Sequence, residues 1–407
     1  MSTNTQTKKL PLAVQIFIAL ILAIIAGLLL QSHAKFAEAY IKPFGTIFLN
    51  LVKFIVGPIV LFSIMSGIIS LSDIKKVGSI GGITVVYYFC TTAVATAIGL
   101  FFANLFKGSF PVLSTSSLNY EPSTESVSAM DTLVNVFPSN FLNPLSDSNM
   151  LQVIVMAILI GFAIILLGEK ASSAVKGVNL WTEIFMKVME MILSLSPVGV
   201  FCLLCPVVAI NGSMVVGSLA KVLLCAYICY LIHAVVVYSL TVFTLGKMTP
   251  LQFFRGMAPA IIFAFSSASS VGTLPINIEC TQKLGASREV SSFVLPLGAT
   301  INMDGTAIYQ GVCAIFIASC YGIHLTFAQM LTIVATATLA SVGTAGVPGA
   351  GLVMLAMVLT SVGLPIDGIA LVAGVDRIFD MGRTTLNITG DASCAIIVSK
   401  LLEKKTR

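Results

Sequence analysis

The chain has 407 residues, of which 57% are hydrophobic and 10% are charged, and its formal net charge is +5. A soluble domain carries about 25% charged residues, so this composition and a mean hydropathy of +1.01 exclude an ordinary soluble protein. They indicate a polytopic membrane protein, in contact with a lipid bilayer. The positive charge does not indicate a nucleic-acid partner, because the Lys and Arg residues lie mostly in short connectors without interleaved aromatic residues.

Membrane-spanning helices are predicted wherever about 20 apolar residues follow one another. Such runs lie near 11–31, 41–71, 78–107, 150–168, 178–210 and 215–246. The first run is too long for the apolar part of a signal peptide and no small-residue cleavage site follows it, so it predicts the first span. The Ser-, Pro- and Thr-rich segment 108–149 predicts an exposed loop.

The orientation is predicted from the Lys and Arg residues of the connectors, which favour the cytoplasmic side. Alternate connectors carry most of this charge, at 8–9, 75–76, 170–176, 247–255 and 400–407. This pattern predicts a multi-pass protein of the cell (inner) membrane with both termini in the cytoplasm.

The nine cysteines do not predict disulfides, since most of them lie in apolar runs. The sequence CLLC at 202–205 matches a redox motif, but it lies inside a predicted span with no βαβ pattern nearby. Small buried side chains are therefore the favoured interpretation of the cysteines.

The sequence Ser-Val-Gly-Thr occurs twice, at 270–273 and 341–344, within apolar sequence. Backbone at membrane depth must satisfy its own hydrogen bonds, so such breaks are tolerated only against protein or a cavity. The flanks at 252–283 and 327–361 predict two helical hairpins that each enter and leave by the same side. Two such hairpins would form an inverted repeat with a binding site between their tips. Two ordinary kinked spans are the alternative.

The final apolar stretch carries a polar stripe. Its members follow one another at spacings of four, three, four and four: Asp376, Asp380, Arg383, Asn387 and Asp391. On a helix these positions fall within an arc of roughly 80°. Charged groups are costly in lipid, so the stripe should face protein or an aqueous cavity. A structural ion-pair stripe is one alternative, but three acids against one arginine call for a cation, either a metal ion or a ligand ammonium group.

Another intramembrane acid, Asp304, lies between Asn302 and Thr306, with Gly298 and Gly305 nearby. Asn and Gly favour an unwound segment whose carbonyls turn inward, and oxygen ligands of this kind suit a hard cation. The three His residues are far apart in the sequence, so zinc chemistry is not indicated.

Four ordered motifs resemble one family, the glutamate transporters, or dicarboxylate/amino acid:cation symporters. The motifs are SSVGTLP (269–275), NMDGT (302–306), SVGTAGVPGAG (341–351) and DMGRTTLNITGD (380–391). The resemblance extends to YYFCTTA at 87–93 and covers nearly the whole chain. It implies an all-α fold of eight transmembrane helices and two re-entrant hairpins, a homotrimer, and a transport domain that moves like an elevator against a fixed scaffold.

The resemblance also implies a division of the chain. The scaffold would hold helices 1 and 2 in 1–77, with helix 2 on the trimer side, and helices 4 and 5 in 108–210, with the loop 108–149. The transport domain would hold helix 3 in 78–107, and in 211–407 helix 6, the hairpin 252–283, helix 7, the hairpin 327–361 and helix 8. The protein would then be a secondary active transporter and not an enzyme.

For the substrate, a small acidic amino acid, the resemblance implies roles residue by residue. Arg383 would hold the side-chain carboxylate, for which a guanidinium fork is suited, and Asp380 the α-ammonium group. Asn387 and Ser270 would hold the α-carboxylate. The remaining pocket residues would be Ser269, Thr306, Val347, Gly351 and Thr384.

Three sodium sites are implied in the same way. One would use Asp391 with carbonyls of Gly298, Asn302 and Asn387. A second would lie next to the Met303 sulfur and use carbonyls of Thr300, Ser341, Val342 and Thr344. A third would use Asp304, Asn302, Thr91, Thr92 and the Tyr88 carbonyl. Because the second hairpin tip supplies part of a site, ion binding and closure of that hairpin would be one event.

The chain departs from the family pattern at three positions. Many prokaryotic members have an arginine where this chain has Ala268, and animal members have one where it has Met381. Arg377 is the nearest further cation. Proton-coupled members have a glutamate where this chain has Gln310, which favours sodium coupling without proton or potassium coupling.

The substrate class keeps alternatives. A carrier of neutral amino acids, cystine or C4-dicarboxylates on the same fold is the first, although Asp380 argues against a substrate without an ammonium group. Two closed hairpins fit a carrier better than an ion channel. An enzyme is not indicated, because no nucleophile accompanies the intramembrane acids. Aspartate and glutamate are not separated, since one methylene changes binding by only about 1–3 kcal/mol.

Overall fold

The computed structural model describes residues 12–70, 79–112, 134, 137–147, 149–212, 214–341 and 350–405. In this part of the chain the regular structure is helical throughout, without strands. The main helices of the first half are α1 (Leu12–Leu29), α2 (Lys42–Ser70), α3 (Ser79–Phe106), α4 (Met150–Leu167), α5 (Ser172–Ser194), α6 (Ser196–Asn211) and α7 (Met214–Ile232). Those of the second half are α8 (Pro250–Ser267), α9 (Ser270–Lys283), α10 (Arg288–Ile301), α11 (Asp304–Cys320), α12 (Phe327–Ser341), α13 (Ala350–Ser361) and α14 (Asp376–Lys405).

Four stretches of the described residues are long and apolar enough to cross a membrane: Ile80–Ser109, Gln152–Ile192, Gly217–Thr244 and Arg288–Cys320. A fifth is formed if the bent pair Val14–Leu29 and Gln31–Phe48, which meet at 72°, counts as one span. The all-helical, apolar architecture of the sequence prediction is thus confirmed, whereas the count of eight spans and two re-entrant hairpins stays a prediction.

One predicted apolar run is divided. The run 178–210 covers most of α5 and all but the last residue of α6, with a break at Leu195. Pro197 explains the break, because proline has no N–H to donate to the carbonyl of the preceding turn and its ring clashes with that carbonyl. It occupies the first turn of α6, where a missing N–H costs nothing.

The helices pack in two sets. Helices α1, α2, α4, α5 and α6 contact one another, while α3 and α7 to α14 pack around α11 and α14. Between the sets, α13 contacts α2 and α4. Which set would move against the other is a matter of motion, so the scaffold and transport domains stay a prediction.

The first Ser-Val-Gly-Thr copy begins α9, directly after a break in the helix, and the second begins at Ser341, the last described residue of α12. Helix α8 ends at Ala268, which has left-handed backbone angles (φ 50°, ψ 43°), and the Ser269 side chain accepts a hydrogen bond from Gly272 N at 3.0 Å to cap α9. Helices α8 and α9 pack against each other, as do α12 and α13. Helix α12 ends at Ser341, and the rest of the second copy lies outside the described residues.

Helix α11 is the central element that positions the site. It follows α10 after two non-helical residues, Asn302 (φ −87°, ψ 103°) and Met303 (φ −124°, ψ 43°). Helix α3 approaches α11 closely because residue 99 is glycine, since a Cβ there would overlap the backbone of Ile308. The non-helical residues Asn302 and Met303 form the unwound segment predicted from Asn and Gly, and Asp304 is the first residue of α11 after it.

Candidate functional site

The polar stripe of α14 lies inside the protein. Its five members are each at most 6% exposed, and helices α8 to α11 pack on α14 around them. The stripe divides into two parts. The charges near the start of α14 form one cluster, and Asp391 further along forms another with residues of the unwound segment.

Arg383 is held by two carboxylates of its own helix. Its Nη1 lies 3.0 Å from Asp376 Oδ1 and its Nη2 3.4 Å from Asp376 Oδ2, which is a two-pronged pair. Its Nε lies 2.8 Å from Asp380 Oδ1. The guanidinium carbon stands 4.8 Å from the centre of the Tyr309 ring, within the range of a cation–π contact. The charged head of Arg383 is thus fixed from three directions.

A second arginine joins this cluster. Arg377 Nη1 lies 3.7 Å from Asp380 Oδ2, and its Nη2 donates to the Ser267 carbonyl at 2.9 Å, directly before the left-handed Ala268. The cluster therefore contains two carboxylates and two guanidiniums and is formally neutral. Arg377, which the sequence places just off the stripe, connects the stripe to the tip between α8 and α9.

Asp391 forms a separate cluster with Asn302. The Asn302 amide donates to Asp391 Oδ1 at 2.9 Å and to the Asn387 carbonyl at 3.0 Å. A Cβ on Gly298 would overlap Asp391 Oδ1, so only glycine admits the carboxylate there. Among the described residues the buried Asn302 Oδ1 has no hydrogen-bond partner, and a buried oxygen without a donor is suited to a cation.

Asp304 forms the third cluster and accepts hydrogen bonds on both oxygens. Thr92 Oγ1 lies 2.6 Å and Thr91 Oγ1 3.3 Å from Oδ1, and Thr91 also donates to the Tyr88 carbonyl at 3.2 Å. On the other side, Tyr238 Oη lies 2.7 Å and His233 Nε2 3.2 Å from Oδ2. Asp304 and His233 are fully buried.

The clusters around Asp391 and Asp304 suit a hard monovalent or divalent cation and not zinc. In the described part of the chain, no three His, Cys, Asp or Glu side chains converge as a metal site. An ion held there would therefore rely on one carboxylate together with hydroxyl, amide and carbonyl oxygens, which hard cations accept. Neither Asp304 nor Asp391 forms an ion pair with Lys or Arg within the described ranges.

Comparison with known proteins decides the family. A family model described as the sodium:dicarboxylate symporter family matches residues 12–401.

The chain belongs to the sodium:dicarboxylate symporter family.

Relatives agree over nearly their whole length. A protein named proton/sodium-glutamate symport protein from Bacillus caldotenax is 36% identical, over 97% of this chain and 95% of its own. The proton/glutamate-aspartate symporter of Escherichia coli (strain K12) is 35% identical, over 98% and 94%. C4-dicarboxylate transport protein 1 of Ralstonia nicotianae is 31% identical, over 94% and 91%. The chain is therefore a multi-pass membrane symporter and not an enzyme.

The symporter brings several predicted substrate residues together. Thr384 Oγ1 lies 3.5 Å from Asp380 Oδ1. The Asn387 amide nitrogen lies 3.3 Å from Met303 Sδ and 3.5 Å from Thr306 Oγ1, while its oxygen accepts from Gly305 N at 2.8 Å. Ser270 is buried next to the cap residue Ser269.

The second predicted sodium site uses the backbone carbonyls of Thr300 and Ser341, and the side-chain hydroxyls of these two residues bond within their own helices. Thr300 Oγ1 donates to the Leu297 carbonyl at 2.9 Å and Ser341 Oγ to the Thr338 carbonyl at 2.7 Å, each within its own helix. Val342, Thr344 and Val347 lie outside the described residues. The second predicted sodium site thus stays a prediction.

Sequence reasoning missed two partners of Asp304 in the symporter, Tyr238 and His233. A histidine within an apolar run was a usable signal, because an ionisable residue inside a membrane segment indicates a functional site. Tyr238 offered no such signal, since a tyrosine in an apolar run is common in a helical core.

Gly351 allows α13 to lie directly on the Arg383 guanidinium, because a Cβ there would overlap Nη1. We expect Gly351→Ala to weaken binding of the transported substrate by roughly 5–150-fold, since overpacking costs about 1–3 kcal/mol. Isothermal titration with purified protein measures this. Gly217→Ala is the control, because a Cβ on Gly217 meets no atom within 4 Å. Equal binding by both variants would show that α13 does not press on Arg383.

Proposed function

We propose that this symporter imports an acidic amino acid, aspartate or glutamate, together with sodium ions. One observation carries the substrate class: Arg383 lies buried between the carboxylates of Asp376 and Asp380 at 3.0 and 2.8 Å. The names of the relatives support it, since they include glutamate and glutamate-aspartate symporters.

The Arg383 fork already binds one carboxylate in the two-pronged geometry that a substrate side chain would use. A substrate carboxylate would share the guanidinium with Asp376 or replace it. The α-ammonium group would lie at Asp380, and Asn387 with Ser270 would hold the α-carboxylate. Thr306, Thr384 and Gly351 would line the pocket, with Ser269 and Val347. Aspartate and glutamate share these end groups, so the proposal covers both.

Sodium would bind at the two acidic clusters that no guanidinium balances. At Asp391 the ligands would include the carbonyls of Gly298, Asn302 and Asn387. At Asp304 they would include Thr91, Thr92, Asn302 and the Tyr88 carbonyl. A third ion would use Thr300, Ser341, Val342 and Thr344 beside Met303.

The kind of coupled ion follows from residue 310. Several relatives have both proton and sodium in their names. Gln310 is buried at 1% exposure, and an amide does not gain or lose a proton in the physiological range. We therefore infer coupling to sodium without protons or potassium.

Transport would follow an elevator mechanism in a homotrimer of the cell membrane, with both termini in the cytoplasm. The scaffold would comprise 1–77 and 108–210, and the transport domain 78–107 and 211–407. The contacts among α3 and α7 to α14 are compatible with one moving body. The α12–α13 hairpin would close over the substrate when sodium is bound.

A carrier of C4-dicarboxylates is the second candidate, because a relative of 31% identity has this name. Such a substrate has two carboxylates and no ammonium group. Asp380 would then face a second negative charge, which costs free energy in a buried site. A neutral amino acid has no side-chain carboxylate to place at Arg383. Cystine has a distal carboxylate, but a second ammonium group accompanies it, and Arg383 would repel that charge.

Uptake into liposomes with purified protein tests the proposal. Radiolabelled aspartate would be offered with sodium, proton and potassium gradients imposed separately, and with unlabelled glutamate, serine, cystine and succinate as competitors. We expect sodium-driven uptake that glutamate inhibits. Uptake indifferent to the sodium gradient would contradict the coupling, and inhibition by succinate alone would favour the dicarboxylate carrier.

Arg377 provides a separate prediction. Replacing Arg377 with glutamine removes a charged hydrogen bond to the tip between α8 and α9 and uncovers Asp380 on one side. We expect aspartate affinity to fall roughly 10–100-fold, since such bonds contribute about 1.5–3 kcal/mol. Binding titrations measure this, and Arg377→Lys, which keeps the charge, should lose less. Wild-type affinity in Arg377→Gln would remove Arg377 from the site.

A further inference from the structure

The Asp304 carboxylate is held by two different helices. Thr91 and Thr92 of α3 donate to Oδ1, whereas His233 and Tyr238, which follow α7, donate to Oδ2. All four residues are buried, and none is more than 4% exposed. The threonines belong to the proposed cation site, but the two donors on Oδ2 have no role in it so far.

Their position depends on an irregular turn. His233–Tyr238 forms a π-helical segment between α7 and the helical turn Ser239–Thr244. In a regular α-helix, residues five apart are separated by about 140° and face different directions. The wider π turn brings them to the same side, and the two rings meet edge to face with centroids 4.8 Å apart. The segment thus aims two donors at one carboxylate oxygen.

This arrangement is costly for folding alone. Among the described residues, the buried His233 Nδ1 has no hydrogen-bond partner, and an unpaired buried polar atom costs about 1–3 kcal/mol. The Tyr238 hydroxyl fits only because residue 390 is glycine, where a Cβ would overlap it. An apolar pair in a regular helix would avoid both constraints.

We propose that His233 and Tyr238 are positioning residues for the cation at Asp304, an inference that rests on the proposed sodium coupling. By engaging Oδ2 they fix the rotation of the carboxylate, a torsion that is otherwise broad and two-fold. Oδ1 is then directed to Thr91 and Thr92, whose oxygens converge with the Tyr88 carbonyl. Two residues that do not bind the cation themselves, His233 and Tyr238, thus determine the orientation of Asp304 and with it the size of the cation site.

The test uses the full-length purified protein without substrate. Its melting temperature is followed as sodium chloride replaces choline chloride at constant ionic strength, which gives a half-saturating sodium concentration; lithium chloride is titrated in the same way. We expect Tyr238→Phe and His233→Leu to raise the half-saturating sodium concentration roughly 10–100-fold, as loss of outer partners does at metal sites. His233→Gln, which keeps an N–H donor, should recover most of this affinity.

The preference of the protein for sodium over lithium distinguishes a positioning role of His233 and Tyr238 from a packing role. A carboxylate free to rotate changes the size and flexibility of the site, so we expect the lithium-to-sodium ratio of half-saturating concentrations to shift by roughly threefold or more. The matched control is Tyr87→Phe. The Tyr87 hydroxyl is a buried neighbour that contacts Ser393 at 2.7 Å and Thr241 at 3.1 Å, but not Asp304.

The outcomes separate the two proposals. If the wild-type protein is stabilised equally by choline and sodium, sodium coupling itself is wrong. If the wild type responds to sodium and the variants at 233 and 238 respond as Tyr87→Phe does, the positioning role is wrong while sodium coupling stands. A lower melting temperature in choline with an unchanged sodium response would mean a structural role only, which also overturns the inference.

Discussion

Replacing Arg383 with cysteine is expected to weaken aspartate and glutamate binding by roughly two to three orders of magnitude. Arg383 is 2% exposed and is the only guanidinium of the described residues that contacts both Asp376 and Asp380. Truncating one partner of a buried charge pair costs about 2–5 kcal/mol. The substrate carboxylate would lose its charged partner entirely, and binding of serine, which lacks that carboxylate, should change much less.

Two further variants separate binding from stability. Arg383→Cys alone leaves Asp376 buried without its partner, which could destabilise the protein. The double variant Arg383→Cys with Asp376→Asn removes that uncompensated charge and should melt closer to the wild type while still failing to bind aspartate. Arg383→Lys keeps the charge without the fork and should bind weakly. Aspartate affinity retained in the double variant, measured by titration in sodium, would refute the role of Arg383.

Replacing Asp391 with asparagine is expected to raise the sodium concentration needed for half-maximal substrate binding by roughly 10–100-fold, since ligand charge sets the affinity of a hard-cation site. Asparagine keeps the shape of the side chain and an oxygen that can accept the hydrogen bond from the Asn302 amide, which is 2.9 Å long in the wild type. The substitution therefore removes charge with little change in packing. The substrate affinity at saturating sodium should stay near that of the wild type.

Sodium titrations of aspartate binding measure this effect. Glu279→Gln is the matched control, because Glu279 is an exposed carboxylate paired with Lys283 at 2.7 Å, away from the stripe. A sodium dependence of Asp391→Asn that equals that of the control would place the coupled ion elsewhere. A loss of substrate affinity that saturating sodium does not restore would instead assign Asp391 to the substrate.

The polar stripe of the site could be predicted from spacing alone, whereas the roles of its individual residues were expectations from the family resemblance. The members of the α14 stripe share a face because an α-helix turns by a constant angle, and their burial follows from the cost of charge in lipid. Local backbone preferences predict the unwound segment at Asn302 and Met303. The first break lies at Ala268, two residues before the Ser-Val-Gly-Thr sequence at which the turn is predicted, and that sequence forms the first turn of α9. These features are determined by residues close together in the sequence.

The missing parts depend on packing between distant segments. A constant turn of 100° per residue places positions 233 and 238 on different faces, so no helical pattern predicts that both contact Asp304. The π-helical segment His233–Tyr238 turns both side chains to the same side, where they meet Asp304 of a distant helix. Likewise, the bond from Arg377 to the Ser267 carbonyl joins residues 110 apart, and its length of 2.9 Å follows only from the fold.

The unequal distribution of charge between the clusters has a consequence for the membrane potential. The cluster of Arg377 and Arg383 with Asp376 and Asp380 is formally neutral, whereas Asp304 and Asp391 have no Lys or Arg partner among the described residues and, when ionised, would give the unloaded binding core two negative charges. Each charge that crosses 100 mV changes the free energy by about 2.3 kcal/mol. In a cell that is negative inside, the voltage would therefore drive the unloaded core outward. The three proposed sodium ions and a substrate of net charge −1 would together bring the loaded core to zero net charge, so the inward step would not work against the potential.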